Sequence, residues 1–157
     1  MSQTIAPPTV ASPAATPPLV VTRTFAAPRE RVFKAWTDPK QLSRWFGPSD
    51  DYTAKAEIDL RIGGAYRIDI RHNDGNVHTV LGTYREIIPP EKLSFTWQWE
   101  GSTAPDTLVT IDFASIGNAT EITMTHQKFT DLETRHRHNE GWTGGFARLE
   151  RMLASEA

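Results

Sequence analysis

The chain has 157 residues, five Trp, seven Phe, three Tyr and no Cys, with a formal net charge of −2. That length suits one domain with a sizeable core. The mixed charge gives no reason to expect nucleic acid or an anionic membrane as partner, and the lack of cysteine excludes disulfides, thiolate nucleophiles and Cys-ligated metals.

No apolar run approaches the roughly 20 residues of a membrane span. The N-terminus lacks the Lys/Arg-then-apolar pattern of a secretory signal, so the protein is read as cytoplasmic. Residues 1–18 form a Pro-rich tail, with Pro7, Pro8, Pro13, Pro17 and Pro18 among Ala, Ser and Thr. Such a segment buries too little surface to offset its ordering entropy. It is a disordered extension or a Pro-rich ligand for a partner domain. Residues 19–157 form the domain.

Leu19 to Phe25 is a strand by its β-branched content. Pro28 suits the first turn of a helix over Arg29 to Thr37, whose buried face is Val32, Phe33 and Trp36. Asp38 caps a second short helix, Lys40 to Trp45, which ends at Gly47-Pro48. From residue 52 the period changes from helical to alternating. Tyr52 to Leu60 alternates loosely. Ala65 to Arg71 alternates strictly, with Tyr66, Ile68 and Ile70 on one face and Arg67, Asp69 and Arg71 on a solvated face laced with ion pairs. Asp74-Gly75 is a hairpin signal. Val77 to Ile88 is a long strand, in which Gly82 suggests a bulge or bend. Leu93 to Trp99 places Phe95, Trp97 and Trp99 on one face. Leu108 to Ser115 and Thr120 to Lys128 are the last strands. A helix over about Asp131 to Leu153 then closes the chain.

That helix reads as two segments. Trp142, Phe146, Leu149 and Leu153 recur at helical spacing and form an apolar grip on a sheet. Gly141, Gly144 and Gly145 each cost about 1 kcal/mol relative to Ala, so packing must compensate. Gly145 lies near the inward face, where it permits close approach. Gly144 points away, with no packing reason visible. The front half, Asp131 to Glu140, is polar. The glycines let the two halves bend relative to each other, which makes the helix a candidate gate.

The run Arg23-Thr24-Phe25-Ala26-Ala27-Pro28, with Ala35-Trp36-Thr37-Asp38-Pro39 and Trp45-Phe46-Gly47-Pro48, resembles the opening of the family named after the activator of Hsp90 ATPase, within the START/Bet v1-like superfamily. Gly63-Gly64-Ala65-Tyr66-Arg67, Gly82-Thr83-Tyr84-Arg85-Glu86-Ile87, Pro89-Pro90-Glu91-Lys92-Leu93, Phe95-Thr96-Trp97 and Gly141-Trp142 extend the likeness across residues 19–154. The resemblance implies an α+β helix-grip fold: a seven-stranded antiparallel curved sheet wrapped around the C-terminal helix, enclosing an elongated apolar cavity. It implies a broad range of functions, from carriers of lipids and other hydrophobic ligands to cyclases and hydrolases. The Hsp90 link belongs to eukaryotic co-chaperones that carry an additional N-terminal Hsp90-binding domain. Residues 1–18 are too short to be one, which makes an Hsp90 interaction doubtful.

Under this fold the ligand-facing candidates are Tyr66, Ile68, Ile70, Phe95, Trp97, Trp99, Met124, Trp142 and Phe146, lining a cavity of roughly 300–1,000 Å³. Alternation fixes which residues share a face but not which face looks inward, so a solid core is the competing arrangement. His126 falls on the apolar face with Ile122 and Met124, either as a satisfied core histidine or as a ligand-bonding group or general base. Arg135 and His138 share the face of Trp142 and are placed at the cavity mouth, where they would hold an anionic head group; the alternative is a solvated helix start. His136 and His138 point apart, and His72 and His78 face each other across the hairpin without a clear third ligand, so no metal and no cofactor are expected. The expected partner is a small hydrophobic or aromatic molecule, with a homodimer left open. Two further functions stay in view: a cyclase- or hydrolase-type enzyme using His126 or Tyr66, and a protein-interaction module, which exposure of Trp45 and Phe46 would favour.

Overall fold

A computed structural model describes residues 16–155. The Pro-rich tail therefore lies outside the described residues, apart from Thr16, Pro17 and Pro18. Strand β1 (Leu19–Phe25) leads into helices α1 (Arg29–Thr37) and α2 (Pro39–Trp45). Strands β2 (Tyr52–Ile58), β3 (Ala65–His72), β4 (Val77–Ile88), β5 (Lys92–Trp99), β6 (Thr107–Ile116) and β7 (Ala119–Gln127) follow, and α3 (Leu132–Ser155) closes the chain. The seven strands form one antiparallel sheet in the order β1-β7-β6-β5-β4-β3-β2. The meander runs from β2 to β7, and β1 returns beside β7 with Leu19 opposite His126. This is the α+β helix-grip architecture.

Local chemistry accounts for the elements. Asp38 accepts a hydrogen bond from Lys40 N, and Pro39 occupies the first turn of α2, where its missing N–H costs nothing. Asp131 does the same for α3, its carboxylate accepting from Thr134 N at 2.7 Å. Strict alternation in β3 sends Tyr66, Ile68 and Ile70 inward, all buried. Asp69 on the outer face meets Arg67 at 3.3 Å, and Arg67 also reaches Glu100 at 2.8 Å. These exposed pairs contribute little individually.

Gly82 serves close approach: a Cβ there would overlap the Thr96 carbonyl and the Tyr66 ring. The bulge in β4 falls further along, where the register shifts between Tyr84 and Glu86. His72 and His78 do not face each other. The register puts Ile70 opposite His78, and His72 stacks on Tyr52 of the neighbouring strand at 4.8 Å.

Helix α3 packs against β1 and α2. From Phe146 onward the space beneath it is filled: Phe146, Leu149 and Leu153 are buried, and Phe146 meets Phe25 edge-on at 6.1 Å. The glycine roles differ from the helical-wheel expectation. Gly144 is the tight position, since a Cβ there would overlap the Pro48 carbonyl, whereas a Cβ at Gly145 would make ordinary contact with Gly47 and Trp45. The wheel assumed that the sheet is the only neighbour. The α2–β2 loop approaches α3 from the side that the wheel left open.

This contact carries a prediction. Gly144→Ala gains helix propensity but forces α3 off the loop, so it should destabilise the domain by about 1–3 kcal/mol. Urea denaturation measures this, and a stabilised variant would mean that the helix does not rest on Pro48.

Candidate functional site

Two adjoining chambers lie beside the front half of α3. The first has a volume of about 270 Å³ and is lined by Trp45, Phe46, Gly47, Pro48, Ile70, Trp97, Trp99, Arg137, His138, Gly141, Trp142 and Gly145. The second, of about 550 Å³, extends toward the β5–β6 and β7–α3 loops and adds Tyr52, His78, Ser102, Thr107, Lys128, Phe129 and Thr134 among its walls. Pro48, Ile70, Trp97, Trp99, Arg137 and His138 border both. The first is almost wholly apolar, and the second is the more polar of the two.

An aromatic cluster shapes the first chamber. Trp97 packs on Trp142 at 5.0 Å and stands edge-on to Trp99 at 5.6 Å. Phe46 closes the side at 5.7 Å from Trp142. Buried indole N–H groups need acceptors. Trp45 Nε1 donates to the Ala35 carbonyl at 3.0 Å, Trp142 Nε1 to His126 Nδ1 at 3.1 Å, and Trp99 Nε1 to His138 Nε2 at 3.0 Å. The Trp97 N–H is buried without a partner.

These bonds fix both histidine tautomers, because an indole N–H only donates. His126 Nδ1 is an acceptor, so its proton sits on Nε2, which donates to Thr107 Oγ1 at 2.7 Å. The Thr107 hydroxyl passes the chain on to the Trp97 carbonyl at 3.0 Å. His138 is the opposite tautomer: Nδ1 donates to the Thr134 carbonyl at 2.8 Å, leaving Nε2 to accept from Trp99. Burial pushes the pKa of His126 well below the ordinary imidazole value, and His138 beside it adds to the effect. Burial also lowers His138, helped by the Arg137 charge and opposed by the bond to Thr134. Both rings are therefore neutral near pH 7.

The structure brings Ile70, Trp97, Trp99, His138 and Trp142 together at the first chamber. Tyr66, Ile68 and Phe95 surround a separate void of about 10 Å³ behind Trp97, room for one water at most. Met124, His126 and Phe146 are fully buried and border neither chamber. Tyr66 donates its hydroxyl to the Thr96 carbonyl. Arg135 donates to the Pro17 carbonyl at 3.1 Å, and Arg137 is the arginine at the chambers. The contributions of Trp45, Phe46, Gly47 and Pro48 escaped the strand-based reading. Alternation places residues within a sheet, whereas these come from the end of α2 and the loop after it. The sequence does turn Trp45 and Phe46 inward with Leu42 on the second short helix, as observed, but it does not show that they meet open space.

Fold and site together define a class: an antiparallel sheet gripping one long helix, with an aromatic-walled cleft at the helix's polar end. The chain belongs to the family described as "Activator of Hsp90 ATPase homolog 1-like protein", which matches residues 26–154. Similar solved structures include protein CV1439 from Chromobacterium violaceum, at 27% identity and a TM-score of 0.79, covering 87% of this chain and 96% of that one. The AHSA1 protein SPO3351 from Silicibacter pomeroyi is 26% identical, with a TM-score of 0.79 and coverage of 89% and 99%. CalU16 from Micromonospora echinospora is 25% identical, with a TM-score of 0.68 and coverage of 88% and 77%. A comparison with curated proteins finds no match.

The histidines predict a pH dependence. Their folded-state pKa values lie below the unfolded value of about 6.5. Above that value both states are neutral and the stability is fully present. As pH falls below it, the unfolded chain takes up protons that the folded chain resists, so stability declines. Urea midpoints should therefore drop between about pH 7.5 and pH 5.5. His138→Gln retains an acceptor for Trp99 without titrating, and it should flatten the slope; an unchanged slope would remove His138 from the account.

Proposed function

We propose that the protein binds a small hydrophobic or aromatic, lipid-like molecule in the cleft between the sheet and α3. The observation that carries this reading is the first chamber, where Trp45, Phe46, Trp97, Trp99 and Trp142 converge on open space. Apolar sites with a few polar groups at one end are the usual form of small-molecule pockets. The combined chambers reach the size range of such sites, and the family fold commonly hosts hydrophobic ligands. Among the described residues, no helix is long and apolar enough to cross a membrane. We place the protein in the cytoplasm, a setting with which a chain without cysteine is compatible.

The other readings find less support in the geometry. His126 has both ring nitrogens committed to Trp142 and Thr107, and Tyr66 is closed off behind Trp97. Neither residue borders a chamber, and His126 reaches the second only through the Thr107 hydroxyl, which is itself committed to the Trp97 carbonyl. Trp45 and Phe46 are 1% and 4% exposed, so they offer no surface for a protein partner.

Native mass spectrometry of protein purified from its source should reveal a co-purifying small molecule. Trp99, half-buried at the border of both chambers, gives the matching variant. Trp99→Ala should weaken binding of that molecule at least tenfold, with a stability loss well short of the roughly 3–5 kcal/mol of a core tryptophan. Unchanged binding would move the ligand elsewhere.

A further inference from the structure

Gly141 is the interior glycine of α3 beside which there is open space. Gly144 is pressed by the Pro48 carbonyl, and Gly145 rests near Gly47 and Trp45, but a Cβ at Gly141 would meet nothing within 4 Å. Its backbone is helical, with no positive φ to require glycine. A glycine in a helix interior is less favourable than alanine by about 1 kcal/mol, so neither helix stability nor close approach accounts for this residue. The open space beside it is the first chamber, whose wall it forms with His138, Trp142 and Gly145 on one side of α3. Across that space stand the indoles of Trp97 and Trp99.

We infer that Gly141 sets the width of a slot for a flat, uncharged aromatic ring system, with bare helix backbone as one wall and tryptophan side chains as the other. The inference rests on the small-molecule reading above and names the ligand class for that site. Volume and polarity agree with it. At about 270 Å³ the chamber lies just under the roughly 300–1,000 Å³ of drug-sized sites, so it suits a compact molecule of a few rings. The indole N–H groups of Trp45, Trp99 and Trp142 are each spent on protein acceptors. The Arg137 guanidinium is engaged with Glu133 at 3.2 Å. Of the four indoles at this chamber only Trp97 keeps an unpartnered N–H, so the chamber offers its ligand aromatic faces, shape and at most one neutral donor. A polar substituent, where the ligand has one, belongs in the second chamber, beside Thr107, Lys128 and Thr134.

The test pairs stability with affinity in the full chain. The probes are N-phenyl-1-naphthylamine, neutral and aromatic, and 8-anilinonaphthalene-1-sulfonate, its anionic counterpart, both followed by fluorescence titration. Wild type should bind the neutral probe more tightly. Gly141→Ala should raise the thermal midpoint yet weaken the neutral probe about tenfold, and Gly141→Leu should abolish its binding. A structural glycine would behave oppositely, with Gly141→Ala lowering the midpoint, and that result overturns the inference. So does a stabilised Gly141→Ala that binds as wild type does, or a preference for the anion. If wild type binds neither probe and carries no co-purifying molecule, the small-molecule reading itself falls; if wild type binds and the Gly141 variants bind equally, only the slot falls.

Discussion

The bond from the buried Trp142 indole to His126 ties α3 to the sheet within an otherwise apolar interior. Trp142 donates to His126 at 3.1 Å, and His126 hands the chain through Thr107 to the backbone of β5. Leaving such a donor unpaired would cost about 1–3 kcal/mol, which adds to apolar burial in favouring the rotation of α3 that satisfies it. That rotation sends Phe146, Leu149 and Leu153 into the sheet and brings Gly144 against Pro48. It also leaves Gly141 and His138 facing the space beside Trp97 and Trp99. One polar contact in an apolar interior thus adds direction to apolar burial, which is not itself directional.

The cleft exists because two kinds of constraint part company along α3. Behind Trp142 the helix is apolar and sinks into the sheet until side chains fill the gap. Ahead of Trp142 it is polar and has no comparable drive to bury itself. There it is tied to the sheet by the bond from Trp99 to His138. The result is an aromatic-walled space open at its polar end. His126 and His138 are neutral, with both nitrogens of each ring bonded, so they serve as architecture that acid can disturb.

Much of this was legible in the chain. The period-two pattern of Tyr66, Ile68 and Ile70 locates β3 and its buried face, and Asp74-Gly75 locates the following hairpin. The fold followed from the order of such elements. The site was legible only in part. Trp97, Trp99, His138 and Trp142 were readable because each belongs to a periodic segment whose inward face the fold assigns. Tyr66, Phe95 and Phe146 belong to equally periodic segments, yet they pack solidly, because period does not report whether neighbours from other elements fill the space.

The sequence by itself determined the elements, the faces they present and the fold that pairs them, since these depend on interactions repeated along the chain at fixed spacing. Tertiary structure alone decided which inward residues meet open space. It selected Arg137 over Arg135 for the cleft, gave Gly144 its close contact with Pro48 and left Gly141 facing a void. The physical reason is that empty volume is a property of several elements at once. The approach of the Gly47-Pro48 loop to α3, together with the bonds and packing that fix the helix's rotation, sets it, and neither is written in the periodicity of any one segment.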